Sequence, residues 1–181
     1  GPEVELSLVV PSGNLGNLTA GVMAERMGMT GVRFVAAHNR NDYFVRYLAG
    51  GAAAFEFGPS VTTLSNAMDV GAPSNFERLH ALLGEELPEY VTGAAVNDAA
   101  TLARMRSTYE RYRYLACPHT AVGLEAWERV SERSGESGPA IVLATAHPAK
   151  FPEAVAEATG VTPDTPPTLA GLPADDDAMA A

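Results

Sequence analysis

The chain has 181 residues, a length that suits one domain or part of one and allows a real apolar core. Its formal net charge of −10 argues against nucleic acid as a partner, and its single cysteine, Cys117, excludes an internal disulfide framework or a cysteine-rich zinc site. No apolar run is long enough to span a bilayer and no signal peptide is evident, so the expectation is a cytoplasmic, reducing setting with no membrane partner and no metal.

Residues 5–11 (ELSLVVP) have the continuous apolar end of a buried parallel strand. A turn rich in glycine and asparagine follows, and then Leu15, Leu18, Val22, Met23 and Met27 recur at helical spacing, with Gly28 as the stop. Residues 32–37 (VRFVAA) form a second buried-strand candidate. Strand, helix and strand within about thirty residues make a βαβ unit with parallel pairing and a right-handed crossover. Asp42 stands where a cap would start a short helix carrying Phe44, Val45 and Leu48. Residues 52–72 look like a long functional loop.

Helices are predicted over 75–83, 98–116, 120–133 and about 149–159. The first should bury Phe76, Leu79 and Leu83, and the second a stripe of Leu102, Met105, Tyr109 and Tyr112. Residues 139–145 (PAIVLAT) are the third buried-strand candidate. Beyond Gly160 the prolines and Asp175, Asp176 and Asp177 mark an irregular, mobile tail, residues 161–181. The whole predicts an α/β chain with an open, mostly parallel sheet and flanking helices.

The turn after the first strand, VVPSGNLGN, is the most informative stretch. A strand, a glycine-rich turn and a helix aim free N–H groups and a helix dipole at an anion. Gly13 and Gly16 would let oxygen atoms approach the backbone, and Ser12, Asn14 and Asn17 add polar side chains. No Lys-Ser/Thr follows, so this is not a Walker A loop, and the spacing does not meet the dinucleotide fingerprint. Read alone, the turn fits an anion site and an asparagine-capped βα turn about equally.

The stretch closely resembles the phosphate loop of threonine synthase, a pyridoxal 5′-phosphate enzyme. Further matching segments follow in the family's order: Ala37, Asn39, Asn41 and Asp42 with Arg46; then 63–69 (TLSNAMD), 74–78 (SNFER), 118–122 (PHTAV) and 145–151 (TAHPAKF). The resemblance covers residue 9 to about residue 160. It implies the C-terminal part of the tryptophan synthase β-subunit-like fold, with residues 1–160 as a portion of the cofactor-binding catalytic domain.

The resemblance assigns the cofactor phosphate to Ser12, Gly13, Asn14, Leu15, Gly16 and Asn17, and the pyridine nitrogen to the Thr145 hydroxyl. Leu15 stands where the family commonly has Phe, and Asn17 where Asp is frequent. It implies a carbon–oxygen lyase that turns O-phosphohomoserine and water into threonine and phosphate. A substrate phosphate needs a second anion site, for which Arg46, Ser65, Asn66 and Arg78 are the candidates. His119 and His147 lie in matching segments, where a satisfied structural histidine is favoured over a proton shuttle. Asp42 and Asp69 are favoured as caps, and Tyr109, Tyr112 and Tyr114 as packing residues.

The family's Schiff-base lysine has no counterpart: Lys150 is the only lysine and belongs to a different segment. No catalytic residue is therefore assigned in this chain. The expectation is a C-terminal portion, inactive by itself, that needs a lysine-bearing N-terminal half. The alternatives are a threonine-synthase-like phospholyase and a non-catalytic cofactor- or anion-binding remnant.

Overall fold

A computed structural model describes residues 6–135 and 138–170. In chain order the elements are β1 (Leu6–Pro11), α1 (Gly16–Arg26), β2 (Val32–His38), α2 (Tyr43–Leu48), α3 (Phe76–Leu83), α4 (Leu87–Tyr90), β3 (Val91–Ala95), α5 (Asp98–Tyr112), α6 (Pro118–Ser134), β4 (Ala140–Val142), α7 (Pro152–Thr159) and α8 (Pro167–Ala170). Short 3-10 turns occupy Asn66–Met68, Gly84–Glu86 and Pro148–Lys150.

Among the described residues the four strands form one parallel sheet in the order β3-β2-β1-β4. Alternation along each strand sends neighbours to opposite faces. Val10 and Phe34 pack with Leu18, Val22, Phe44, Phe76 and Leu79 on one face. Val9 and Val35 pack with Val122, Ala126 and Val130 of α6 on the other. Phe44 and Phe76 are fully buried, each contributing about 1.5–3 kcal/mol through the apolar area withdrawn from water. A third cluster, with Met105, Ala121, Val155 and Ala158, closes the junction of α5, α6 and α7.

The α/β class and the parallel sheet agree with the expectation, and several elements differ in detail. Strand β3 lies in a stretch given no structure from sequence: VTGAA is short and carries a glycine in its middle. The third expected strand shrinks to Ala140–Val142 and is an edge strand, with Ile141 half exposed. Its apolar run predicts cover on both faces, but β4 lies at the edge of the sheet and the face that carries Ile141 is open. Met23 and Met27 leave the buried stripe of α1, where Leu18, Thr19 and Val22 are inside. Helix α5 ends at Arg113 in a left-handed conformation, and Tyr112 and Tyr114 are exposed rather than packed in the core. Of the expected tail, residues 171–181 lie outside the described residues, as does Glu5 of the first expected strand.

Candidate functional site

In a parallel sheet every strand ends on the same side, and the loops that follow meet there. The chain uses that side four times over, with Ser12–Asn17 after β1, Asn39–Asp42 after β2, Val96–Asp98 after β3 and Leu143–Thr145 after β4.

The loop after β1 is anchored by Ser12, whose N–H donates to the Ala37 carbonyl (2.8 Å) and whose hydroxyl donates to the Val10 carbonyl (3.1 Å). Leu15 then takes a left-handed conformation, φ 63°, an arrangement unfavourable for a residue with a branched side chain. Burial of Leu15 among the aromatic residues of α2 and α3 holds it there. The twist turns the backbone so that, among the described residues, the N–H groups of Gly13, Asn14, Leu15, Gly16, Asn17 and Leu18 have no acceptor. Successive free amides at the start of an eleven-residue helix have the donors and the dipole that suit an anion.

The segment between α2 and α3 holds this turn in shape. A Cβ on Gly13 would lie 2.7 Å from the Met68 Cα, so only glycine lets residues 66–68 close over the turn. Gly16 has ordinary room, its nearest neighbour being Asn75 Nδ2 at 3.7 Å. Asn14 is gripped from α3's approach: its Oδ1 accepts from the Ser74 N–H (2.6 Å) and hydroxyl (3.0 Å), and its carbonyl accepts from Asn75 Nδ2 (2.9 Å). Arg78 continues this chain by donating to Asn75 Oδ1 at 3.1 Å. Asn17 stays exposed beside the turn.

Beyond β2, Asn39 is buried and is the hub of a polar network. Its Nδ2 reaches Thr63 Oγ1 (2.7 Å), Ser65 Oγ (3.0 Å) and Asp69 Oδ1 (2.8 Å), while its Oδ1 accepts from the Asn41 N–H (2.9 Å). Asp69 also accepts from the Thr63 N–H (2.9 Å) and hydroxyl (2.7 Å) and from Asn41 Nδ2 (3.1 Å). Asp69 is thus an orienting carboxylate, not a cap. Asp42 does stand at the start of α2, yet its carboxylate takes Arg46 Nε at 3.0 Å instead of a helix N–H.

Among the second-anion candidates, Ser65 is buried with its hydroxyl inside this network, and Arg46 is paired with Asp42. Asn66 and Arg78 are exposed. Thr145 is exposed three residues past Val142, whose register partner in β1 is Val9, just as Ser12 lies three past Val9. The edge strand therefore delivers Thr145 to the same end of the sheet as the glycine turn. His147 is exposed and its Nδ1 accepts from the Ala149 N–H at 3.1 Å, so it caps the turn at Pro148–Lys150.

Two histidines carry information that sequence reasoning missed. His38, at the end of β2, is buried; its Nδ1 faces the Asn41 carbonyl at 3.3 Å and its Nε2 has no partner among the described residues. Burial pulls its pKa down to about 4. His119 is 2% exposed and neither ring nitrogen has a partner among the described residues, contrary to the expected satisfied histidine. Burial lowers its pKa, with Asp69 opposing and Lys150 reinforcing the shift.

With this geometry in place, comparison with known proteins is specific. The family described as "Threonine synthase, C-terminal" matches residues 120–180. The chain is 42% identical over 170 residues to threonine synthase of Escherichia coli strain K12, covering 92% of this chain and 38% of that protein. The chain resembles the C-terminal portion of threonine synthase. Human threonine synthase-like 2 is 35% identical over 195 residues, with 92% of this chain and 40% of that protein covered. The pyridoxal phosphate-bound threonine synthase of Brucella melitensis superposes with a TM-score of 0.79 at 32% identity, covering 93% of this chain and 41% of the other. The chain thus spans about two fifths of the length of these threonine synthases. More distant structures, such as maize serine racemase at 21% identity and a TM-score of 0.57, share the fold. Among the described residues no helix is long and apolar enough to cross a membrane, and Cys117 is free and buried.

Proposed function

We propose that this chain supplies the phosphate loop and the ring-nitrogen partner of a pyridoxal phosphate-dependent threonine synthase, working in the cytoplasm on O-phosphohomoserine and water. The observation that carries the reading is the run of amides from Gly13 to Leu18 with no acceptor among the described residues, placed beside the strand that leads to Thr145. That cradle fits the cofactor's phosphate in charge and geometry, and Gly13, Asn14, Leu15, Gly16 and Asn17 would hold it.

When bound, pyridoxal phosphate supplies the electron sink for carbanion chemistry on the amino acid. The chain's own groups bind and orient. Ser12 fixes the root of the loop, and Asn14, through Ser74 and Asn75, fixes its crest. The Thr145 hydroxyl would meet the ring nitrogen as a neutral partner, which does not hold a positive charge there as a carboxylate would. That moderation suits elimination followed by replacement.

Overall, the γ-carbon–oxygen bond breaks and phosphate leaves with the electron pair. The β-carbon gives one hydrogen to the γ-carbon and takes hydroxide from water, and the remaining proton leaves with phosphate. Asn66 is exposed, and Arg78, bonded to the neutral Asn75 Oδ1, keeps its charge uncompensated for the substrate's phosphate, whereas Arg46 is already paired with the Asp42 carboxylate and Ser65 is buried against Asn39. The lysine this chemistry requires must come from a portion other than this one, since Lys150 is the only lysine here.

The test has two stages. The 181-residue chain should bind pyridoxal phosphate weakly, seen as a shift of the cofactor's phosphorus NMR signal, and G13A should abolish the shift. Mixed with a lysine-bearing N-terminal portion of a threonine synthase, the chain should restore threonine formation. No phosphorus shift refutes the loop assignment. Release of 2-oxobutyrate in place of threonine would make the protein a phospholyase on the same scaffold.

A further inference from the structure

The proposed reaction leaves His119, a buried histidine near this end of the sheet, unused. His119 opens α6 one turn before Gly123, where an added Cβ would lie 2.6 Å from Val142 Cγ1 and 3.1 Å from Pro11 Cγ. Those residues end β4 and β1, and α6 runs antiparallel to the strands, with Arg129 donating to the Ala95 carbonyl and Arg133 to that of Gly93. Residues one turn apart share a helix face. The His119 ring therefore stands just past the strand ends, level with the glycine turn and with the segment that leads to Thr145.

Three features define its chemistry. The ring is buried, and the ring of Phe151 covers it at a centroid distance of 4.8 Å and an angle of 51°. Neither nitrogen has a partner among the described residues. The charged groups acting on it are Asp69, from the 63–69 network, and Lys150, from the turn that precedes α7. Burial keeps the ring neutral at pH 7, so it offers one donor and one acceptor.

Leaving both unmet inside a protein is unfavourable, and an ordered water is the usual remedy where side chains offer none. A phosphate or carboxylate does not suit the place, since it is closed to solvent and lies within reach of the Asp69 charge. A small neutral molecule with both a donor and an acceptor does.

We propose that His119 is a positioning residue that holds an ordered water at the carboxyl end of the sheet, and that this is the water the reaction consumes. The second half rests on the functional reading above. The bond formed is carbon–oxygen at the β-carbon, the bond broken is one O–H of the water, and the proton leaves with the released phosphate. His119 sets where that oxygen waits.

The chain has four histidines, so a long-range proton–nitrogen spectrum of the 181-residue protein at pH 7 shows four imidazoles, and H119Q identifies His119 by the signal it removes. The expected result is a neutral His119 ring with a cross-relaxation peak to a long-lived water; absence of that peak overturns the proposal. In the mixture with a lysine-bearing N-terminal portion, H119L should lower the ratio of threonine to 2-oxobutyrate about tenfold, the effect of one lost hydrogen bond, while H119Q keeps most of it. An unchanged ratio in H119L overturns the link between this water and the reaction. If the water peak is present but pyridoxal phosphate gives no phosphorus shift, the functional reading falls and takes the reaction's claim on the water with it, leaving a structural water.

Discussion

Gly13 and Gly16 look equivalent in the sequence, and the structure separates them. The Cβ of an alanine at 13 would meet the backbone of Met68 at 2.7 Å, and a backbone atom cannot swing aside as a side chain can. Gly13→Ala should destabilise the chain by about 1–3 kcal/mol, the usual range for overpacking, measured as a lower urea midpoint. Gly16→Ala should be neutral or stabilising by up to about 1 kcal/mol, because position 16 begins α1 with a helical backbone and open space. Equal losses at the two positions would refute the packing of residues 66–68 over the turn.

His38 sets a pH dependence at the same scale. Its pKa is about 4 in the folded chain against 6.5 for an ordinary imidazole, so the unfolded state binds more protons between those values. Stability is therefore complete above pH 6.5 and falls as the pH drops toward 4. Between pH 6.5 and 5 the loss from this residue should be about 2 kcal/mol, and H38L should remove most of that slope in urea melts taken at each pH. His119 is shifted the same way, so a residual slope should survive in H38L and shrink again in the double variant with H119L.

Among the elements, the decisive unit is the pairing of two loops through a side-chain network. The Asp69 carboxylate accepts hydrogen bonds from Thr63, Asn39 and Asn41, all within 2.7–3.1 Å. Hydrogen bonds to an ionised acceptor are the stronger kind, and an amide in its place would set an NH2 against groups that are themselves donors. Asp69→Asn should cost at least about 2 kcal/mol and should loosen residues 60–70, seen as faster amide exchange there than in α6. Because Met68 rests on Gly13, that loosening should also weaken pyridoxal phosphate binding without any substitution in the cradle. Cofactor binding that is untouched by Asp69→Asn would mean the two loops are independent.

At the scale of the whole molecule, the parallel sheet is what makes a site out of dispersed segments. Residues 12–17, 39–42, 63–69, 98 and 145 are far apart in the chain, yet each follows a strand or packs on a loop that does. Leu64, for instance, donates its N–H to Asp98 at 3.2 Å, joining the network to the start of α5.

Much of this was legible without coordinates. Continuous apolar runs mark β1 and β2, and the 3.6 periodicity marks the helices from 75 onward, because apolar side chains must face a core whatever its exact shape. The glycine turn declared itself because few residues tolerate so tight a connection. The ordered segments carried the resemblance to threonine synthase. What lay beyond reach depended on contacts between distant residues: that Gly13 and not Gly16 is sterically required, that Asp69 orients instead of capping, and that His119 is buried with no partner among the described residues. Residue type and local spacing determine which elements form, since those follow from each segment's own backbone and apolar pattern. Which polar groups meet, and which are left unmet, is decided only when the sheet brings its loops to one end, because hydrogen bonding and desolvation act across space and not along the chain.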